Sequence, residues 1–109
     1  MIRSNGVFRH KFGAKPTVKD NIRFASKLEA SYYQKLKLAQ RSGKLLFFLR
    51  QVPFDLPGGL TYRADFLEFW EDGTVKVTDC KGFETKEYIM KKKLLEENYP
   101  IELNVVKRA

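Results

Sequence analysis

The first regular pattern along the chain is a helical one that begins after residue 20. Ser26 is a good helix cap, Ser26-x-x-Glu29 has the form of a capping box, and Gly43 suits the left-handed end of a helix. Along this stretch, apolar residues recur every three or four positions, which places them on one helical face. These residues are Ala25, Leu28, Tyr32, Leu36 and Ala39. The pattern predicts a helix over residues 26–43.

The pattern then changes to that of β-strands. Residues 45–54 are rich in Leu, Phe and Val and predict a strand, with a break near Pro53 because proline cannot donate to a sheet ladder. Residues 60–70 predict a second strand, and residues 74–81, where valine alternates with Lys and Thr, predict a third. An Asp-Gly pair between the last two strands favours a tight hairpin. We therefore expect an antiparallel meander of three strands.

A second helix and a last strand follow the meander. Thr85 is a suitable cap for a helix over residues 85–98, and Pro100 ends that helix. Residues 101–106 predict a short strand, which the helix brings back alongside the sheet. The order helix, three strands, helix, strand predicts an α/β fold with a mixed central sheet flanked by helices. We expect a single domain over residues 1–109, with residues 1–20 as a basic N-terminal arm.

The composition excludes several classes of site and favours a cytoplasmic protein. Cys80 is the only cysteine, so a disulfide within the chain or a zinc site built on several cysteines is not possible. His10 is the only histidine, which excludes a multi-histidine metal site. No apolar run approaches the roughly 20 residues of a membrane span, and the start lacks the apolar middle of a secretory signal. We expect no contact with a membrane.

The net charge of +8 is unevenly distributed. Residues 1–50 carry twelve Lys or Arg and two Asp or Glu, a charge of +10, whereas residues 51–109 carry nine and eleven, a charge of −2. This asymmetry indicates a polyanionic partner such as DNA, and the alternative is a solvated basic surface that serves solubility. The candidate contacts with a nucleic-acid backbone are Arg3, Arg9, Lys11, Lys15, Arg23 and Lys27.

Two aspartates interrupt the predicted strands where apolar residues are expected. Strand alternation places Asp79 and Lys81 on the face of Val77, and an antiparallel hairpin that turns at Asp-Gly aligns Asp79 with a position near residue 66. Asp65 lies within one residue of that alignment. The two carboxylates are therefore expected to meet at one end of the sheet, with Lys81 beside them.

Two other residues have two interpretations each. Glu29 is either the third residue of the capping box or, because it lies on the inward stripe of the helix, a carboxylate that approaches the strand ends. Lys92 lies on the apolar face of the second helix, either as a snorkelling lysine that buries only its stem or as a supporting residue of the site.

Two or three carboxylates at one sheet end form a hard, oxygen-rich site that suits Mg²⁺, for which Mn²⁺ can substitute. Such a cation allows acidic residues to approach a phosphodiester, lowers the pKa of a bound water and stabilises charge on the leaving oxygen. A neighbouring lysine can orient the water and compensate charge on the phosphate oxygens. This chemistry accounts for the acidic cluster, Lys81 and the basic first half together.

The arrangement of Asp65, then Asp79-Cys80-Lys81 across a hairpin, with Glu29 on a preceding helix, resembles the PD-(D/E)-x-K nuclease superfamily. The predicted element order is similar to the restriction-endonuclease-like core of that superfamily. More narrowly, the segments FASKLEASYY, QVPF, YRADF and DCKGFETKEY resemble a family of small phage-type endonucleases, some of which are Holliday-junction resolvases. The resemblance covers roughly residues 20–106, and Ala64 departs from it by replacing the proline that gives the superfamily its name.

The resemblance implies roles for individual residues. Asp65 and Asp79 would bind the metal, with Glu29 assisting directly or through water, and Lys81 would orient the nucleophile. These four residues would be the catalytic set, and Gln51 matches a glutamine often placed near such sites.

The expected function is a metal-dependent DNA endonuclease, most simply a structure-specific Holliday-junction resolvase of phage-type recombination that works as a homodimer. One alternative keeps the chemistry but makes the protein a nickase, a flap or single-strand nuclease, or the nuclease subunit of a recombination complex. Another is a non-catalytic DNA-binding protein on a nuclease-like scaffold. Fold and site alone do not choose among these.

Overall fold

The computed structural model describes residues 17–108 and shows an α/β fold with two helices and a mixed sheet. Four of the candidate DNA contacts lie outside the described residues, namely Arg3, Arg9, Lys11 and Lys15. No helix in the described part of the chain is both long enough and apolar enough to cross a membrane. In chain order the elements are β1 (Thr17–Lys19), β2 (Ile22–Phe24), α1 (Lys27–Arg41), β3 (Leu45–Leu56), a 3₁₀ turn (Pro57–Gly59), β4 (Leu60–Trp70), β5 (Val75–Cys80), α2 (Lys86–Asn98) and β6 (Leu103–Val106).

Of the arm predicted over residues 1–20, residues 1–16 lie outside the described residues, and residues 17–20 belong to a small hairpin that precedes the first helix. β1 pairs with β2 in antiparallel register. The turn between them holds Asp20 and Asn21 at φ of +51° and +63°, the left-handed conformation that these residue types tolerate in tight hairpins. Tyr33 of α1 donates its hydroxyl to the Asp20 carboxylate at 2.8 Å, and Phe24 packs on the Tyr33 ring. These contacts fix the hairpin to α1.

The first helix begins and ends as its sequence signals predict. The Ser26 side-chain oxygen accepts a hydrogen bond from the Glu29 backbone N–H at 3.1 Å, and Gly43 follows the helix at a φ of +88°. This satisfies one of the backbone donors that every helix start leaves unpaired.

The four longer strands form one sheet in the order β3-β4-β5-β6. β3, β4 and β5 are an antiparallel meander, and β6 pairs in parallel with β5 after the chain has passed through α2. One apolar core contains side chains of α1, including Leu36, together with Phe66 and Cys80. The other contains Leu95 of α2 together with Val77. The sheet therefore separates two cores, as the mixed sheet flanked by helices predicts.

The alternation of side chains along β3 and β4 changes face in the middle of both strands. Phe66 packs in the core of α1, yet Ala64 and Tyr62, which simple alternation would put on the same face, pack in the core of α2. Likewise Phe48 contacts the α1 core and Leu56 belongs to the α2 core. Between Phe66 and Ala64 on β4, and between Phe48 and Leu56 on β3, the even-numbered residues therefore change from the α1 side of the sheet to the α2 side.

Gln51 lies at the change of face on β3. It has a φ of +54°, in the left-handed region that non-glycine residues seldom occupy. Its neighbours Arg50 and Val52 pair regularly with Phe66 and Ala64. The predicted break near Pro53 is wrong, because β3 continues to Leu56 and the irregular residue is Gln51.

The conformation of Gln51 generates a prediction about stability. The left-handed conformation costs an L-residue about 1–2 kcal/mol and glycine almost nothing, so Gln51→Gly should be more stable than Gln51→Ala by about 1 kcal/mol. Both variants lack the side-chain amide, so their difference isolates the backbone. Urea denaturation of the two variants measures it.

Asp55 provides the matched control, since it lies on the same strand, is exposed and has no positive φ. There glycine should be less stable than alanine by roughly 0.5–1 kcal/mol, the usual penalty for glycine in a strand. If glycine is also the less stable residue at position 51, the strained backbone is not a feature of the protein in solution.

Candidate functional site

The candidate site lies where β4 and β5 stop pairing through their backbones. The last regular pair on this side is Phe66 with Thr78. One position further, the Asp65 backbone N–H donates to the Asp79 carboxylate at 2.8 Å, and the Cys80 backbone N–H donates to the Asp65 carboxylate at 2.9 Å. Each aspartate thus accepts a hydrogen bond from the opposite strand. The structure brings the two predicted carboxylates together.

Asp79 is the deeper of the two aspartates, with only 2% of its surface exposed. The Tyr62 hydroxyl donates to its second carboxylate oxygen, so both oxygens accept a hydrogen bond. Burial, and then the hydrogen bond to Asp79, raise the pKa of Tyr62. Tyr62 therefore remains a protonated donor that fixes the orientation of the Asp79 carboxylate.

Glu29 joins the aspartates through the side chain of Gln51. The Gln51 amide nitrogen donates to the Glu29 carboxylate at 3.1 Å and to Asp65 Oδ1 at 3.4 Å. Arg50 Nη2 lies 3.7 Å from the same Glu29 oxygen. The buried Glu29 carboxylate contacts β3, and it is the Ser26 side chain that caps the helix. Of the two interpretations of Glu29, the contacts favour the carboxylate directed at the sheet.

Burial, with a smaller contribution from crowding, raises the pKa of two of these acids, Glu29 and Asp65. Burial is the largest cause that raises the pKa of Glu29 to about 7, and repulsion by the Asp65 carboxylate adds to it, while Arg50 and Gln51 oppose the rise. Burial also raises the pKa of Asp65, against the hydrogen bond from Cys80 and with the repulsion of Asp79. Like charges held close in a poorly solvated site have this effect in general.

The two aspartates open into a cleft of about 320 Å³ between β4, β5 and the start of α2. Lys81 lines this cleft, with its ammonium 5.2 Å from the centre of the Tyr88 ring. An ammonium is attracted to the face of an aromatic ring, and the stem of the lysine can pack on the same surface. The cleft is lined by Thr61, Tyr62, Arg63, Asp65, Asp79, Lys81, Thr85, Glu87, Tyr88 and Lys91.

A protein-family model described as a protein of unknown function, DUF1064, matches residues 9–109. The chain belongs to the DUF1064 family. No curated protein and no solved structure matches it. The family description carries no activity, so the chemistry of this DUF1064 chain has to be argued from the cleft itself.

The remaining described candidates of this DUF1064 chain, Lys92, Arg23 and Lys27, do not line the cleft in front of the two aspartates. Lys92 pairs with Glu96 at 3.7 Å on the same helix and does not line the cleft. Its neighbour Lys91 does line the cleft. Arg23 on β2 and Lys27 at the start of α1 are exposed. Sequence reasoning missed Tyr62, Arg63, Tyr88 and Lys91, whose positions depend on the change of face in β4 and on the rotation of α2.

A divalent cation fits the donors of this site in kind. Asp65 and Asp79 offer carboxylate oxygens, the ligands that Mg²⁺ prefers. A cation would also relieve the repulsion that contributes to the raised pKa of Asp65. Within residues 17–108, however, no group of three or more Asp, Glu, His or Cys side chains has a metal-binding arrangement. Gln51 stands between Glu29 and Asp65, so the two aspartates are the residues that would hold the ion, and Glu29 would join them only if Gln51 moves.

The raised pKa of Glu29 generates a prediction about pH and stability. Between the ordinary pKa of 4.5 and about 7, the folded state binds more protons than the unfolded state, so stability should fall as pH rises through that window. Glu29→Gln removes this titration and keeps an acceptor for Gln51. At about pH 8 in EDTA, the variant should exceed the wild type in free energy of unfolding by about 1–3 kcal/mol, and the difference should shrink toward pH 5.

Urea denaturation at several pH values measures this difference. Glu97→Gln, at an exposed position of α2, is the matched control and should follow the wild type at every pH. A constant offset between Glu29→Gln and wild type across the range would contradict the assignment, because only a titrating Glu29 makes the offset depend on pH.

Proposed function

We propose that this protein is a metal-dependent DNA endonuclease that hydrolyses phosphodiester bonds. The observation that carries the proposal is the pairing of Asp65 with Asp79 at the point where β4 and β5 separate, with Lys81 two residues further on and a cleft in front of them. A cation would relieve the repulsion between acidic residues held this close, and a net charge of +8 favours an anionic polymer as the partner.

Each residue of the site has a distinct task in this proposal. Asp65 and Asp79 would hold Mg²⁺, and the hydrogen bonds from the opposite strand fix the orientation of these carboxylates. Such an ion would supply a water of lowered pKa and polarise the phosphodiester. Lys81 orients the attacking water or compensates negative charge on the phosphate oxygens. Gln51 sets the distance between Glu29 and Asp65.

The order of elements from α1 to β6 supports the same proposal. Helix, three antiparallel strands, helix and a parallel strand is similar to the restriction-endonuclease-like core of the PD-(D/E)-x-K superfamily. The acidic residues fall on the second and third strands of the meander, as that resemblance implies. This support comes from fold analogy and adds to the chemistry of the cleft without replacing it.

The proposed substrate is branched DNA, in particular a four-way junction, cut by a homodimer. Resolution of a junction needs two matched cuts, and one chain has one such cleft in its described residues. The alternatives are a nickase, a flap or single-strand nuclease, a nuclease subunit of a recombination complex, or a DNA-binding protein without activity. We expect the protein to act on DNA in the cytoplasm.

Replacement of Asp79 tests the proposed chemistry. Asp79→Asn retains an oxygen that can accept from the Asp65 N–H and an amide that can donate to Tyr62, so the fold should persist. Cleavage in Mg²⁺ should fall by at least roughly 10²-fold, because the variant lacks a charged metal ligand, while DNA binding remains. Labelled four-way junctions, flaps, duplexes and single strands, incubated with both proteins, measure the rates.

Asp55→Asn is the matched control for this experiment, since Asp55 is an exposed residue of β3 that does not line the cleft. It should cut at the wild-type rate. Wild-type cleavage by Asp79→Asn would refute the site, and the absence of any Mg²⁺-dependent product from the wild type would leave the non-catalytic alternative.

The homodimer is tested by its mass in solution. β3 is an edge strand of the sheet and exposes Leu46, Phe47 and Leu49, a type of surface that proteins usually cover. Analytical ultracentrifugation should find a dimer, and Leu49→Lys should shift it toward monomer because a charge would be buried at the contact. A wild-type monomer at all concentrations, also on junction DNA, would contradict the proposed dimer.

A further inference from the structure

The charges around the cleft are arranged by depth. Asp79 is almost fully buried and Asp65 is partly buried, so the carboxylates form the floor. Arg63 is exposed, and Lys81 and Lys91 are partly exposed, so the cationic groups form the rim together with the exposed Glu87. A polyanion in contact with the rim would lie against cations, and a cation on the floor would strengthen that contact.

Arg63 is the most available cation of this rim. One of its guanidinium N–H groups donates to the Gln51 backbone oxygen at 3.4 Å, a long hydrogen bond that leaves the other N–H groups without partners among the described residues. A guanidinium presents a planar fork that matches two phosphate oxygens at once. The contact with Gln51 holds the arginine at the strained residue that also contacts both Glu29 and Asp65.

Lys91 lines the same cleft from α2, whereas Arg63 lines it from β4. The Lys91 ammonium lies 3.6 Å from the Glu87 carboxylate, whose side chain is 73% exposed. An exposed ion pair of this kind contributes little to stability, so a stronger anion can replace Glu87 as the partner of Lys91. The Tyr88 hydroxyl in the same wall is buried beside Tyr62 and Asp79.

The opposite side of the carboxylates is closed. Glu29 has 4% of its surface exposed, and the Gln51 amide fills the space between it and Asp65. Arg50 pairs with Glu29 and lies 4.7 Å from the centre of the Phe24 ring, so its guanidinium belongs to the packing of α1. A large ligand therefore reaches Asp65 and Asp79 from the side of α2.

We propose that Arg63 and Lys91 are the two walls of a binding site for a nucleic-acid backbone, which crosses the cleft over Asp65 and Asp79 between β4 and α2. The inference rests on the proposed function for the identity of the polymer. It moves the principal contact from Arg23 and Lys27 to the second half of the chain, whose net charge is −2. The local arrangement of charges outweighs the overall balance because salt screens charges beyond about 10 Å.

Equilibrium binding of DNA without cleavage tests this site. Every variant is made in the Asp79→Asn background, in EDTA, and the dissociation constants for a labelled duplex and a labelled four-way junction are measured over a range of salt concentrations. Arg63→Gln and Lys91→Gln should each weaken binding and lower the slope of log affinity against log salt by about 0.9, the value for one lost phosphate contact. Glu87→Gln should strengthen binding, because Lys91 no longer has a competing partner.

Matched variants with the same change in charge separate this site from a general effect of net charge. Arg41→Gln, Lys93→Gln and Glu97→Gln lie at exposed positions that do not line the cleft, and they should change affinity much less than their counterparts. Lys27→Gln tests the approach from the side of α1, and its effect should also be smaller than that of Arg63→Gln or Lys91→Gln.

The proposal is overturned if Arg63→Gln and Lys91→Gln bind like their controls, if Lys27→Gln has the larger effect, or if the Asp79→Asn protein binds no DNA. These outcomes are separate from failure of the proposed function. Mg²⁺-dependent cleavage by the wild type with unaltered binding by the rim variants would retain the endonuclease and reject this path. Altered binding with no cleavage by the wild type would retain the path and reject the endonuclease.

Discussion

The separation of β4 from β5 beyond Phe66 and Thr78 is the constraint on which the candidate site depends. It leaves the backbone N–H groups of Asp65 and Cys80 without cross-strand carbonyls, and an unpaired buried donor costs about 1–3 kcal/mol. The carboxylates of Asp79 and Asp65 accept these hydrogen bonds instead. The aspartates therefore complete the sheet, and their closeness follows from backbone geometry rather than from a chance choice of rotamers.

That closeness opposes folding, because two carboxylates face each other with a third one nearby. Burial and mutual repulsion raise the pKa of Glu29 to about 7, and the protein offsets part of the repulsion with the amide of Gln51 and the charge of Lys81. Gln51 reaches both Glu29 and Asp65 only from a strained backbone. Strain and crowded charge at the same place favour a functional explanation over a purely structural one.

The sequence predicts the parts of this site that depend on strand alternation and on hairpin turns. The alignment of Phe66 with Thr78 differs by one residue from the predicted register and places Asp65 beside Asp79. The change of face at Gln51 was not predictable, since no local pattern signals a positive φ at glutamine, and Tyr62 and Arg63 were missed with it. Lys92 was chosen over Lys91 because neighbouring helix positions differ by about 100°, and the pattern does not fix the rotation of α2 that closely.

A second buried acid shows why burial alone does not identify a site. Glu68 is fully buried, yet the Tyr32 hydroxyl and the Trp70 indole N–H donate to its two oxygens at 2.7 and 3.0 Å, and it does not line the cleft. Its charge is satisfied within the core of the protein. Asp79 is buried to nearly the same degree, but one of its hydrogen-bond donors is the backbone N–H of a second acid, Asp65. A cleft with a basic rim also lies in front of Asp79. The contrast lies in the second carboxylate and the cleft beside Asp79, which Glu68 lacks, and it is at Asp79 that the cation of the proposed function would act.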